Sequence, residues 1–151
     1  MEILETVSMP REEVLVWAEK AENCDWDAGR FLGFLMRNGM VERKFGEGSQ
    51  ALLLTDNGEL LAFCTLAMQD EIDDISLTPW IGFVYTFPEF RGHRYSQKLI
   101  EYAVEKAKEQ GFKKIYISSE EKGLYEKYGF KFVRDEMSIH EYITQIFERD
   151  I

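Results

Sequence analysis

The sequence is poor in several residue types, and each shortage excludes something. Cysteine occurs twice, as Cys24 and Cys64, too few for a disulfide framework. The expected setting is therefore reducing and cytoplasmic. Histidine also occurs twice, as His93 and His140, and the four residues share no metal-ligand spacing. Long apolar runs are missing. The longest, Ala51–Leu54 and Leu60–Cys64, fall far short of a membrane span. The opening MEILETVSMPREEV has no basic stretch ahead of an apolar core, so it does not read as a signal peptide. Positive charge is in deficit, with 18 Lys and Arg against 28 Asp and Glu and a net charge of −10. Such a chain is a poor partner for nucleic acid or an anionic membrane.

What is present points to a packed core. Hydrophobic residues make up 45% of the chain and aromatics 14%, which argues against disorder. The length of 151 residues suits one domain over residues 1–151. The charge is uneven. Residues 1–80 carry 6 basic and 16 acidic side chains, and residues 81–135 carry 11 and 8. That asymmetry fits a basic surface for an anionic ligand beside an acidic one for a cationic ligand. A Lys-rich solvated helix face would give the same counts.

The chain shows no repeat, low-complexity tract or linker. Glu2–Val7 reads as a short strand. Pro10 opens a helix with Val14, Trp17, Ala18 and Ala21 at helical spacing. A second helix is expected from Asp25, with Ala28, Phe31, Leu32, Leu35 and Met36 as its stripe and Asn38–Gly39 as its stop. Ala51–Thr55 and Leu60–Met68 flank Asp56–Asn57–Gly58, a strong hairpin signal. An acidic segment with Asp70, Glu71, Asp73 and Asp74 leads to a strand over Trp80–Thr86. After a loop comes a helix of about four turns, striped by Leu99, Ile100, Ala103, Val104 and Ala107 and stopped by Gly111. Lys113–Ser118 reads as a strand, Glu120–Tyr128 as a short helix, and Phe130–Arg134 and Tyr142–Phe147 as final strands. The order implies an α/β (α+β) fold, one mixed sheet with helices on both faces.

The join after Trp80–Thr86 carries the chemistry. A loop entering a helix exposes unpaired N–H groups, and the helix dipole adds positive potential. Such a turn binds phosphate without any particular side chain. Arg91, His93, Arg94 and Lys98 crowd this one, and Gly92 allows close backbone approach. An ordinary charged turn remains the other reading of these residues alone.

The segment Pro88–Glu89–Phe90–Arg91–Gly92–His93–Arg94–Tyr95–Ser96 resembles the acyl-CoA loop of the GNAT N-acetyltransferase superfamily. That loop follows Arg/Gln-x-x-Gly-x-Gly/Ala. LYEKYGF, from Leu124 to Phe130, resembles a second motif of the family, in the right order and at the right distance. The resemblance implies a mostly antiparallel sheet of six to seven strands, flanked by about four helices. It implies acetyl-CoA as cosubstrate, no metal, and transfer to a primary amine by direct attack. Backbone groups of Val84, Tyr85 and Thr86 would hold the pantetheine arm. Arg91, Gly92, His93, Arg94, Tyr95, Ser96 and Gln97 would hold the pyrophosphate. Tyr125 would protonate the departing thiolate. From spacing alone Tyr125 reads as core packing, and the motif around it reverses that; Tyr128 reads as structural.

Two departures stand out. Arg94 and Ser96 replace the family's loop glycines. Both are expected to have helix-start geometry, with Ser96 capping the helix and Arg94 adding a charged phosphate contact. Ser118 stands where the family often has an Asn that contacts the cofactor. The general base is open. Glu71 and Asp74 are the candidates ahead of the cofactor strand, with Asp73 beside them, and Glu120 and Glu121 are rivals. His93 is expected on the phosphate loop and His140 in a polar turn. Cys64, Trp17, Trp26 and Phe31 read as core, although the first two helices cover the acceptor groove in the family. The acidic first half favours a cationic small-molecule or peptide amine as acceptor. No nucleic-acid or membrane partner is expected, and the family allows a homodimer. Two other readings stay open: a non-catalytic acyl-CoA-binding or interaction module, and a domain binding a nucleotide or sugar phosphate at the same loop.

Overall fold

Asn57 and Gly58 both take positive φ, 49° and 79°, the backbone a two-residue hairpin turn requires. Strands β2 (Gln50–Asp56) and β3 (Glu59–Ala67) run antiparallel from that turn. In the computed structural model, which describes residues 1–151, this hairpin lies inside a seven-stranded sheet of order β1-β2-β3-β4-β5-β7-β6. The other strands are β1 (Glu2–Glu5), β4 (Trp80–Thr86), β5 (Lys114–Ser119), β6 (Lys131–Met137) and β7 (Ile143–Asp150). Every pairing is antiparallel except β4 with β5.

Four helices flank the sheet: α1 (Arg11–Glu22), α2 (Asp27–Arg37), α3 (Val41–Phe45) and α4 (Tyr95–Glu109). β2 is apolar without alternation because both its faces are covered. Leu52 and Leu54 pack with the α4 stripe of Leu99, Ile100, Ala103, Val104 and Ala107. Ala51 and Leu53 pack with Trp17, Ala18 and Ala21 of α1 and Leu32 and Met36 of α2. Burying each large aliphatic of the α4 stripe is worth about 1.5–3 kcal/mol, so this stripe anchors the helix whose first turn bears on the site.

The structure departs from the sequence reading at several points. α3 was not anticipated; five residues are too few to show a period. The helix expected over Glu120–Tyr128 shrinks to a 3₁₀ turn over Tyr125–Tyr128. Gly123 interrupts it at φ 81°, outside the helical range. α2 starts at Asp27 rather than Asp25, and β6 and β7 extend beyond their expected ends to Met137 and Asp150. No helix is long and apolar enough to cross a membrane.

Candidate active site

β4 and β5 are paired at Trp80 with Tyr116 and Ile81 with Ile117, and nowhere beyond. There β4 bulges. Against β3, Gly82 pairs with Thr65 and Tyr85 with Phe63, which leaves one extra residue on β4. Phe83 in that bulge takes φ 52°, a conformation that costs an aromatic residue about 1–3 kcal/mol. A bulge bends its strand and re-aims its side chains. β5 meanwhile stays paired with β7 as far as Ser119. The two strands therefore part from Gly82 onward, and the edge of β4 towards β5 has no strand partner. Unpaired strand-edge groups are ready hydrogen-bonding sites.

A cavity of about 620 Å³ opens at this fork, the size of a small-molecule site. Its walls are Gly82, Phe83 and Val84 of β4 and Ile117, Ser118 and Ser119 of β5. Trp26, Asp27 and Phe31 close it from the α2 side, and Lys44 and Phe45 from α3. Tyr125, Glu121, His140 and Tyr142 complete it, with Asp70 and Glu71 from the segment after β3.

Tyr125 comes from the 3₁₀ turn and is buried against the α4 side of the core. Burial, and then the charge of Glu121, push its phenol up to about 12, so it is a protonated donor at neutral pH. Glu71 is committed: one carboxylate oxygen accepts the Ser118 hydroxyl at 2.9 Å and the other accepts the Tyr142 hydroxyl. Its carbonyl also accepts the N–H of Ile139 at 2.8 Å. Glu71 thus ties the β6–β7 connection to the end of β5.

Asp70 is different. Its Oδ1 accepts the Glu71 N–H at 2.8 Å, while its Oδ2 is sealed from solvent with no partner. Burial, and then the neighbouring Glu71 charge, push its carboxyl up to about 7; the Glu71 N–H and Lys44 pull back less. Gly82 makes the room, because a Cβ there would stand 2.2 Å from Asp70 Oδ2 and 3.2 Å from Thr65 Oγ1. Thr65 Oγ1 is likewise buried without a partner. In the sequence Asp70 was visible only as one member of an acidic run. Its oxygen packs against Gly82 on the next strand, which a run of acidic residues does not reveal.

The loop beyond β4 is ordered around Gly92, at φ 91°. No N–H group from Gly92 to Gln97 donates to a protein acceptor; the first backbone bond of α4 is Lys98 N–H to Arg94 O. Two expectations are corrected here. Arg94 does not have helix-start geometry: it is left-handed, at φ 60° and ψ 33°. Backbone at that position needs positive φ, which is why glycine suits it and arginine is strained. Ser96 does not cap the helix. It sits inside the first turn, and its hydroxyl bonds the Thr86 hydroxyl at 3.0 Å, tying loop to strand. Arg91 is partly engaged, with Nε donating to the Thr86 carbonyl at 2.9 Å and its guanidinium over the Tyr85 ring. His93 stacks on Tyr95.

The fork gathers Glu71, Val84, Ser118 and Tyr125 at one cavity. Tyr85 turns its side chain away, packing on Trp26 and Phe63 and donating to Asp25. Asp74 is not brought to the cavity. Its carboxylate is spent on the Ser76 turn and on Arg134. Asp73 and Glu120 do not line it either, whereas Glu121 does. His140, expected in a polar turn, lines the cavity and stacks on Tyr142. Trp26 and Phe31 line it too, while Trp17 is core. Cys64 is fully buried, and burial pushes its thiol up to about 12. No group of three or more His, Cys, Asp or Glu is placed to hold a metal ion.

The strand fork, the helix start with its free N–H groups and the buried Tyr125 thus lie along one stretch of chain from β4 to the 3₁₀ turn. The sequence model of the acetyltransferase (GNAT) family matches residues 10–130. The chain belongs to that family, and its class is N-acetyltransferase. No curated protein matches the sequence. Among solved structures it is similar to an aminoglycoside 6'-acetyltransferase type Ii, at 15% identity and TM-score 0.71, covering 99% of this chain and 97% of the other. It is also similar to an aminoglycoside 6'-N-acetyltransferase complexed with coenzyme A, at 14% identity and TM-score 0.69, covering 99% and 97%. A PaiA N-acetyltransferase from Thermoplasma acidophilum, in complex with coenzyme A, aligns over 100% of both chains at 15% identity and TM-score 0.65.

Proposed function

We propose that the chain transfers the acetyl group of acetyl-CoA to a primary amine that is cationic in solution, by direct attack of the amine. The observation that carries this reading is the single cavity at the β4–β5 fork, where a protonated phenol and several carboxylates face the same space. When bound, acetyl-CoA supplies the acetyl group as a thioester. The residues present fit it. Six consecutive N–H groups from Gly92 to Gln97 lack protein acceptors, the arrangement that accepts a pyrophosphate at a helix start. Arg91, His93 and Arg94 belong to the same loop and supply its positive and donor groups. The unpaired edge of β4 over Val84, Tyr85 and Thr86 offers backbone groups to the pantetheine arm. An N–H on that edge stabilises negative charge developing on a carbonyl oxygen. The Tyr125 hydroxyl gives its proton to the departing sulfur. Glu71 forms the negative wall of the ammonium seat, and Ser118 acts through it as a positioning residue.

The acceptor is a small-molecule amine with cationic character. Asp27, Asp70, Glu71 and Glu121 outnumber Lys44 around the cavity, and aromatic walls suit an apolar stem. The similarity to two aminoglycoside acetyltransferases supports that class. A Lys or N-terminal amine on a peptide is the alternative that the charge allows.

The test is calorimetric titration with acetyl-CoA at low and moderate salt, with ATP as control, followed by CoA release in the presence of amines. Micromolar acetyl-CoA binding that weakens with salt, much weaker ATP binding, and faster turnover of cationic than of neutral or anionic amines are expected. Binding without CoA release would leave a non-catalytic acyl-CoA module. Equal affinity for ATP would point to a nucleotide site instead.

A further inference from the structure

We propose that Asp70 is the group that takes the proton from the attacking ammonium; the assignment rests on the acetyl-transfer reading above. Four carboxylates line the cavity, and three have other circumstances. Both oxygens of Glu71 are taken by the hydroxyls of Ser118 and Tyr142. Asp27 pairs with Arg30 and its side chain is 95% exposed. Glu121 is exposed to solvent. Asp70 alone has an oxygen that is sealed from water and bonded to nothing.

A sealed, unpartnered carboxylate costs stability, and the surrounding sequence keeps it that way. Gly82 leaves open the space that any side chain would fill against Oδ2. Thr65, opposite Gly82 in the β3–β4 register, leaves a second unpartnered oxygen beside the same residue. Both atoms lie beside Gly82, where β4 turns away from β5, and Asp70 itself lines the cavity that holds Tyr125. The charged and titratable groups facing this space are Lys44 of α3, Asp27 of α2, Glu121 and Tyr125 ahead of β6, and His140 and Tyr142 ahead of β7, besides Glu71. Burial and Glu71 hold the Asp70 carboxyl at about 7, close to where a general base works best at neutral pH.

The protons balance. An ammonium sheds two on becoming an amide N–H. One passes to Asp70 at the cavity wall, freeing the nitrogen lone pair to form the C–N bond, and leaves Asp70 for solvent through the cavity once the products have gone. The other leaves nitrogen as the C–S bond breaks, and the sulfur gains one from Tyr125, which is then reprotonated. No redox partner is needed.

The test compares wild type with Asp70→Asn, which keeps the shape and removes the proton acceptor. Turnover is read as CoA release from acetyl-CoA over pH 6–9 with spermidine, phenethylamine, kanamycin and a lysine peptide as acceptors. In parallel, aspartate carboxyl carbons are labelled with ¹³C and titrated by NMR, the Asp70 signal being the one lost in the variant. Wild type should show a rate inflection near neutrality and one aspartate titrating far above the others. Asp70→Asn should lower kcat roughly 100-fold or more, lose that inflection, and keep its acetyl-CoA affinity. Gly82→Ala, whose Cβ displaces the carboxylate, should copy the loss. A variant that keeps both rate and inflection, or an Asp70 that titrates with the ordinary carboxylates, overturns the inference while acetyl transfer stands. A wild type that releases CoA with none of the amines overturns acetyl transfer and this inference together.

Discussion

Two corners of the molecule each hold a carboxylate and a tyrosine, and they treat the carboxylate in opposite ways. At the β1–α4 corner, Glu5 accepts the Tyr102 hydroxyl and bonds Lys106 Nζ at 3.0 Å and Gln50 Nε2 at 3.3 Å. Burial pushes the Glu5 carboxyl up, but Tyr102, Lys106 and Gln50 together outweigh it and leave it below the usual range. At the β4–β5 fork, Asp70 has one N–H bond and one empty oxygen, and its carboxyl is pushed up to about 7. Tyr102 and Tyr125 are both pushed up to about 12, Tyr102 first by its bond to Glu5 and Tyr125 first by burial. The first corner is settled structure. The second holds unspent hydrogen-bonding capacity, and sites that trade stability for activity look like this.

The largest separation should come from the phenols. Tyr125→Phe should lower acetyl transfer about 100-fold or more while leaving acetyl-CoA binding intact. Tyr102→Phe should leave the rate alone and lower stability by about 1–2 kcal/mol, because it strips a donor from a partly buried carboxylate. Rate and denaturation measured on both variants decide it. Equal rates for the two would remove Tyr125 from the chemistry.

Next in size is the pH dependence of Asp70. Its folded carboxyl binds protons more tightly than the unfolded one, so it favours folding below its unfolded value near 3.8. That contribution is lost as pH rises through about 7. Asp70→Asn should therefore stabilise the protein by on the order of 2–4 kcal/mol at pH 8, with the gain vanishing towards pH 4. Urea unfolding across that range measures it. A variant no more stable at pH 8 than at pH 4 would break the contrast with Glu5.

How much of this was legible in the sequence follows from how local each signal is. The hairpin at Asn57–Gly58 and the α4 stripe are short-range patterns, and both stand where expected. Tyr125 could be reached because a motif surrounds it. The Phe83 bulge left no trace, since an aromatic at φ 52° violates the ordinary preference of its residue type. Asp70 could not be told from Asp74 in one acidic run. What separates them is a distant partner: Arg134 holds Asp74 at 3.3 Å, while Gly82 clears a space for Asp70. Arg94 departs from expectation because a helix start usually lies in the right-handed or extended region, and this one is left-handed.

The settled corner has its own test. Glu5→Gln should destabilise the protein by about 1–3 kcal/mol at neutral pH, since it weakens three contacts at once. The sign is opposite to that at Asp70. The folded carboxyl of Glu5 is depressed, so its stabilisation is present above the unfolded value near 4.5 and lost as pH falls through the folded one. Two titrations of opposite slope, one at each corner, would sharpen the comparison; parallel slopes would erase it.

The smallest effect reaches the backbone. Arg94 holds φ 60° beside the loop that the ligand is proposed to occupy, where an ordinary residue pays roughly 1–2 kcal/mol. Glycine removes that strain but loses more chain entropy on folding, about 0.5–1 kcal/mol. Arg94→Gly should therefore stabilise the fold by up to about 1 kcal/mol, a rise of about 2–4 °C in Tm for a chain of this size. Its acetyl-CoA affinity should fall about tenfold, and the salt dependence of binding should flatten, because one charge-assisted phosphate contact goes. The two readouts separate backbone from side chain. If affinity holds while Tm rises, the six N–H groups carry the pyrophosphate alone and the guanidinium is idle. If affinity falls while Tm rises, the strain at Arg94 belongs with the empty oxygen of Asp70, as stability forgone at the fork for the sake of a ligand.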